Sequence, residues 1–238
     1  MDLIRENIYN LTSLWSLAGK ADGRFFNDED YAISTIADSA WPNKLWFHRP
    51  PSQKLLKEIF NKWDSDDINI PIWQKDIPEQ LFESLGFTLK NELTGMSINL
   101  NLVKDQPYKL FVQKVNNSKS AALWSSIFFK AFGYWINPRT VELTINQVDY
   151  LIGNHGPKSI GTAILYRDDP NIAGFHSIGV VPEHRQNGYA SDLLNQVLSL
   201  AKKQGAKYAT LQASSMGKGL YLKTGFQEDY QLKNFVKR

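Results

Sequence analysis

The sequence predicts an α/β fold, and two observations carry that prediction. Short runs with strand-like alternation exchange with longer runs of helical periodicity along the whole chain. One helix, beginning near residue 190, is marked by a full apolar stripe and a glycine stop. At the N-terminus, residues 1–18 and 28–40 read as helices, separated by Gly19 and the Asp22-Gly23 turn. Leu45, Trp46 and Phe47 read as a short strand stopped by Arg49, Pro50 and Pro51. A helix with Leu55, Leu56, Ile59, Phe60 and Trp63 on one side follows. Residues 68–73 read as another strand, which Pro71 would confine to an edge or a bulge. A short helix near 78–85, a Gly86-Phe87 step and a strand through 96–100 come next.

Residues 103–108, which include Pro107, mark the expected junction between a domain over 1–104 and one over 105–238. Beyond it, 110–115 reads as a strand. Trp124, Ile127, Phe128, Ala131, Phe132 and Trp135 recur at helical spacing. They fit a core stripe, with Trp124, Phe128 and Trp135 as a substrate-binding wall in the other reading. Strands at 150–153 and 160–166 follow, and a turn at 168–171 leads into a strand over 173–181. In the next helix Ala190, Leu193, Leu194, Val197, Leu198 and Ala201 share one face, and Gly205 ends it. A strand over 207–213, a short helix over 216–223 and a closing hairpin over 227–236 finish the chain.

Composition narrows the function classes. The chain has 238 residues, enough for one large domain or two small ones. Net charge is only +3 with no basic run, which argues against a dedicated nucleic-acid binder. Cysteine is absent, which removes disulfides, thiolate nucleophiles and zinc-thiolate sites, and no metal is expected. The N-terminus mixes Asp2, Arg5 and Glu6 among its apolar residues, unlike a signal peptide, and no stretch approaches a membrane span. A cytoplasmic protein without membrane association, monomeric or homodimeric, is the expectation.

The chain also repeats itself faintly. Leu81, Phe82, Gly86 and Phe87 fall at the same offsets as Leu220, Tyr221, Gly225 and Phe226. At this alignment Gly188 lies opposite Arg49, beside Pro50 and Pro51. Proline has no N–H, and Phe82 lacks the hydroxyl of Tyr221, so chemistry is expected in the second half.

The strand containing Ile178, Gly179 and Val180 runs straight into Arg185, Gln186, Asn187, Gly188, Tyr189 and Ala190 and then the amphipathic helix. A helix start exposes unpaired N–H groups and the positive end of the helix dipole, which together attract phosphate. Gly188 permits close approach, Ala190 keeps the first turn open, and Arg185 adds charge. With Leu220, Tyr221, Gly225 and Phe226 downstream, residues 160–226 resemble the GCN5-related N-acetyltransferase (GNAT) superfamily. The first motif is Arg185-x-x-Gly188-x-Ala190 and the second Leu220-Tyr221-x-x-x-Gly225-Phe226. Ser214 stands where many members place an Asn.

That resemblance implies a central mixed, mostly antiparallel sheet flanked by helices, with 1–104 as a smaller, degenerate GNAT-like domain lacking the loop. It implies acetyl transfer from acetyl-CoA to a primary amine of a small molecule or peptide. Residues 185–190 would hold the diphosphate, with Ile178, Gly179 and Val180 along the pantetheine arm and Ser214 as a further cofactor contact. Tyr221 would be the general acid, and His176 the base or relay, with Glu183 as rival. A catalytically silent acyl-CoA sensor is the other reading; tRNA-dependent aminoacyl transfer is a third, disfavoured by the intact loop.

Overall fold

The computed structural model describes residues 1–63, 68–73, 77–104 and 106–237. Asp105, at the expected junction, lies outside them. Helix α1 (Leu3–Asp22) opens the chain, its start capped by Asp2, which accepts from the amides of Ile4 and Arg5. It runs through Gly19 rather than stopping there. A Cβ on Gly19 would stand 2.1 Å from the Ser34 hydroxyl, so this glycine serves close packing within the helix.

The expected helix over 28–40 is absent. In its place are strands β1 (Arg24–Asn27) and β2 (Tyr31–Thr35). Tyr31, Ala32, Ile33 and Ser34 are all buried, because β2 has a strand on each side and is covered on both faces. A continuous apolar run is equally readable as a buried helix turn, and tertiary contact decided it. Strand β3 (Lys44–Phe47), helix α2 (Gln53–Lys62) and strand β4 (Asn69–Ile72) follow. Strand β4 is interior, not an edge. Its pairing with β3 is recorded only at Lys44↔Asn69, so Pro71 lies past that ladder. Helix α3 (Gln80–Glu83) leads into β5 (Phe87–Asn99), much longer than the sequence suggested.

After residue 105 come β6 (Phe111–Lys114), α4 (Ser118–Phe132) and α5 (Pro138–Thr144), the last started by Pro138 and the Asn137 cap and not anticipated from periodicity. Then β7 (Val148–His155), β8 (Lys158–Asp169), β9 (Ile172–Val180), α6 (Tyr189–Lys203), β10 (Tyr208–Ala213) and α7 (Ser215–Thr224) lead to β11 (Gln227–Lys237). The final segment is one long strand, not a hairpin, because partners on both sides pair with it throughout.

All described strands form one mixed, mostly antiparallel sheet in the order β1-β2-β3-β4-β11-β5-β10-β9-β8-β7-β6. The order has an internal symmetry. Strand β5 lies between β10 and β11, whereas β11 lies between β4 and β5. The last strand of each part of the chain is therefore inserted beside the penultimate strand of the other. At the offset that superposes Gly86 on Gly225, β4 falls on β10 and β5 on β11. The β3/β4 and β9/β10 pairs are the two parallel neighbours in the sheet. The largest buried cluster lies around β7–β10 with α4 and α6, and a second is built on Ile33, Leu45, Ile59, Phe82 and Phe235.

The central β5/β11 pair is tightly fitted, since a Cβ on Gly95 would meet the Tyr230 ring at 2.0 Å. Gly95→Ala should cost about 1–3 kcal/mol through overpacking. Because both parts of the sheet share this pair, denaturant unfolding followed by tryptophan fluorescence and by circular dichroism should shift in a single coincident transition. Two separated transitions would contradict the shared core.

Candidate active site

The loop after β9 is an open donor array. Gly188 is the N-cap of α6 with φ +80°, and no side chain caps the helix. The amides of residues 186–190 find no acceptor among the described residues; the first helical bond runs from Asp192 N–H to the Gly188 carbonyl. Gln186 also has positive φ, +64°, which helps turn successive N–H groups outward. No heavy atom lies within 4 Å of where a Gly188 Cβ would be. The corresponding start of α2 is closed: Ser52 accepts from the Leu55 amide, Pro50 and Pro51 carry no N–H, and Arg49 is paired with Asp30.

Arg185 serves the loop differently from its expected role. Its Nε donates to the Val180 carbonyl at 3.1 Å and its Nη2 to the Ala131 carbonyl at 2.7 Å. The guanidinium thus ties the loop to the carboxyl end of α4, where a cation is favoured. Tyr189 has two histidine rings near it, His155 at 4.8 Å and His184 at 6.3 Å between ring centroids. Helix α6 is held by the expected stripe, and Gln196 outside it donates to the Leu110 carbonyl at 2.9 Å.

Upstream of the loop the sheet splays. The parallel β9/β10 ladder ends at Thr210↔Gly174, while β9 continues to Val180 and β10 to Ala213. Against β8, two steps from Thr162 to Ile164 oppose three from Gly179 to His176, so β9 carries an extra residue. Ser177 takes it up with φ +54°, and its carbonyl accepts from the Thr162 hydroxyl at 3.1 Å. The bulge lies between His176 and Ile178, so simple strand alternation does not relate their side chains. Gly179 lies under Phe132, whose Cζ would be 2.4 Å from an added Cβ.

Tyr221 is buried on α7, its ring edge-on to Phe226 at 5.7 Å. Its hydroxyl has no hydrogen-bond partner among the described residues. Burial pushes its pKa up to about 12, so the phenol holds its proton at neutral pH. Ser214 caps α7, its Oγ accepting from the Gly217 amide at 3.3 Å, and keeps its own O–H to donate. Glu183 is exposed in the turn after β9.

His176 is partly buried, and its Nε2 lies 3.0 Å from Oδ1 of Asn10 on α1. Burial lowers its pKa to about 4, while a hydrogen bond with Gln212 raises it. The ring is neutral at physiological pH. Sequence reasoning missed the asparagines here. Asn7 and Asn10 are fully buried, and a buried amide inside an amphipathic helix is a signal that points to polar work on the buried face. Asn7 donates to the carbonyls of Met96 and Leu211 and accepts from Gln212 at 2.5 Å. A cleft of about 900 Å³ runs along α1, bordered by Tyr166 and Asp168 of β8 and by Trp46 and Trp73. Of the three aromatics that might have formed a wall, Trp124 and Phe128 are fully buried core, and only Trp135 presents surface. Among the described residues no group of three or more His, Cys, Asp or Glu could hold a metal, and no helix is long and apolar enough to cross a membrane.

The bulged strand, splay, open loop and helix all fall between residues 172 and 213. Residues 118–226 match the family model described as Acetyltransferase (GNAT) family, so this part of the chain carries a GNAT-type domain. Solved structures agree over nearly the whole chain. A GCN5-related N-acetyltransferase from Kribbella flavida has a TM-score of 0.72 at 12% identity, covering 97% of this chain and 95% of its own. A GCN5-related N-acetyltransferase-like protein from Streptococcus suis gives 0.63 at 15%, with 98% and 99% covered. The glucosamine N-acetyltransferase region of a fungal multi-domain β-N-acetylglucosaminidase gives 0.64 at 13%, with 98% of this chain and 37% of that one covered. At these identities the likeness is one of fold. Curated proteins give no match by sequence.

The depressed pKa of His176 has a sign that can be tested. In the unfolded chain the imidazole takes up a proton as pH falls through 6.5, whereas in the folded protein it does so only near 4. Its contribution to stability is therefore complete above pH 6.5 and is lost progressively between 6.5 and 4. Urea unfolding at pH 7.5 and 4.5 should show a smaller pH-dependent loss in His176→Gln than in wild type. An equal loss in both would mean the ring is not held neutral.

Proposed function

We propose that the protein is an acetyl-CoA-dependent N-acetyltransferase that acylates a primary amine of a small molecule or peptide. The observation that carries this reading is the row of unpaired amides at 186–190 above a splayed, bulged strand. A row of free N–H groups at a helix start suits a diphosphate, and the unpaired edge of β9 from Phe175 to Val180 suits an extended arm added like a strand.

Acetyl-CoA supplies the acetyl thioester; its acyl carbon passes to the amine nitrogen, the C–S bond breaks, and coenzyme A leaves as the thiol. The amides of Gln186, Asn187, Gly188, Tyr189 and Ala190 hold the diphosphate, with Arg185 fixing the loop's shape through its two carbonyl contacts. The backbone of Ile178, Gly179 and Val180 aligns the arm, and the amide near Ile178 stabilises charge developing on the carbonyl oxygen. Tyr221, protonated and without a competing partner, gives its proton to the leaving sulfur. His176 receives the proton the amine must lose, directly or through water. Ser214 contributes its O–H to the cofactor. In this reading 1–104 is a degenerate copy of the domain at 105–238, its own loop closed by Ser52 and the two prolines. The acceptor amine is the least constrained element, and an amino sugar belongs in the first panel.

Calorimetry with acetyl-CoA should show binding by wild type and its loss in Gly188→Pro, which removes an amide and forces φ away from +80°. Equal affinity in the two would remove the loop assignment. Tyr221→Phe should leave acetyl-CoA affinity unchanged and lower kcat about 10²- to 10⁴-fold in an amine panel that includes glucosamine. Binding without turnover of any amine would favour an acyl-CoA sensor.

A further inference from the structure

The polar side chains that α1 buries against β8 and β9 have a fixed hydrogen-bond direction. The Asn10 Nδ2 lies 3.2 Å from the Tyr166 carbonyl and 2.6 Å from Oδ1 of Asp168. A carbonyl and a carboxylate oxygen accept only, so both must receive N–H from the amide. The other end of that amide, Oδ1, is left facing Nε2 of His176 at 3.0 Å, and an amide oxygen can only accept. The Asp168 carboxylate is itself held in place by the Ser13 hydroxyl, which donates to its second oxygen at 2.7 Å. Gly174 makes the approach possible, since a Cβ there would sit 1.6 Å from the Asn10 oxygen and 2.7 Å from His176 Nε2.

We propose that Asn10, anchored by Asp168 and the Tyr166 carbonyl, is a positioning residue for acyl transfer: it holds neutral His176 as the Nε2–H tautomer. Nδ1 then carries the lone pair, and it is the atom that takes up the proton. This rests on the reading of His176 as base or relay given above. The wrong tautomer would present an N–H where a lone pair is needed. The hydrogen bond with Gln212, whose Nε2 is held by Asn7, favours the protonated ring once the proton has arrived. Helix α1 lies before residue 104, so the first part of the chain contributes to the chemistry of the second even without a cofactor loop of its own.

The tautomer can be read without any turnover. Long-range proton–nitrogen correlation spectra of ¹⁵N-histidine-labelled wild type at pH 7 should show His176 protonated at Nε2. Protonation at Nδ1 would overturn the proposal. Asn10→Leu should lose that preference and lower kcat about 10- to 100-fold with little change in KM for acetyl-CoA. Asn10→Gln keeps an amide donor for Asp168 and an amide oxygen for the ring, and should retain the Nε2–H form and recover much of the rate. Should Asn10→Leu not fold, the wild-type and Asn10→Gln spectra still decide the matter; a folded Asn10→Leu with the wild-type tautomer sinks the idea. His176→Gln separates the two levels: unchanged kcat there removes the relay role itself, whatever the tautomer.

Discussion

The exchange of β5 and β11 at the centre of the sheet is the constraint on which the rest depends. Each strand pairs with the other and with the penultimate strand of the opposite part of the chain. Neither part can therefore satisfy its backbone hydrogen bonds alone, because removing the other would leave an interior ladder unpaired. The exchange also places α1 where it crosses from β2 to β8 and β9, with Asn7 and Asn10 reaching the edges of the splay. Fold and site are thus coupled through one pair of strands.

The two helix starts show how small local differences divide the labour. At α6 a glycine cap, a second residue in the left-handed region and no side-chain acceptor leave a row of donors open. At α2 the serine cap takes up the Leu55 amide and the two prolines have none to offer, so the row is interrupted. The start of α6 thus presents a continuous row of free donors, whereas the start of α2 is capped by its own serine. Unpaired amides are tolerated at α6 because the loop is exposed to water, where they cost little until a ligand takes them.

Burial tunes the two titratable groups of the site in the same sense. Both Tyr221 and His176 are pushed toward their neutral forms, the phenol by a raised pKa and the imidazole by a lowered one. A neutral phenol can give a proton and a neutral imidazole can take one, neither needing a charged partner.

The linear sequence determined the second half well. The stripe from Leu193 to Ala201, the loop through Gly188 and the Tyr221-Gly225-Phe226 step are local patterns, set by helix periodicity and by the φ values only glycine takes easily, and the structure has them where the residues said. At the offset of the faint match between Leu81–Phe87 and Leu220–Phe226, β5 falls on β11. Tertiary structure alone decided the rest. The run after Asp30 became a strand because β1 and β3 flank it, and Pro71 entered an interior strand because its neighbour's ladder stops short. The bulge at Ser177 changed what His176 faces, and Asn10 became its partner from 166 positions away. Periodicity records which residues prefer to be buried; it carries no information on what buries them, and at this site that is what set the direction of each hydrogen bond.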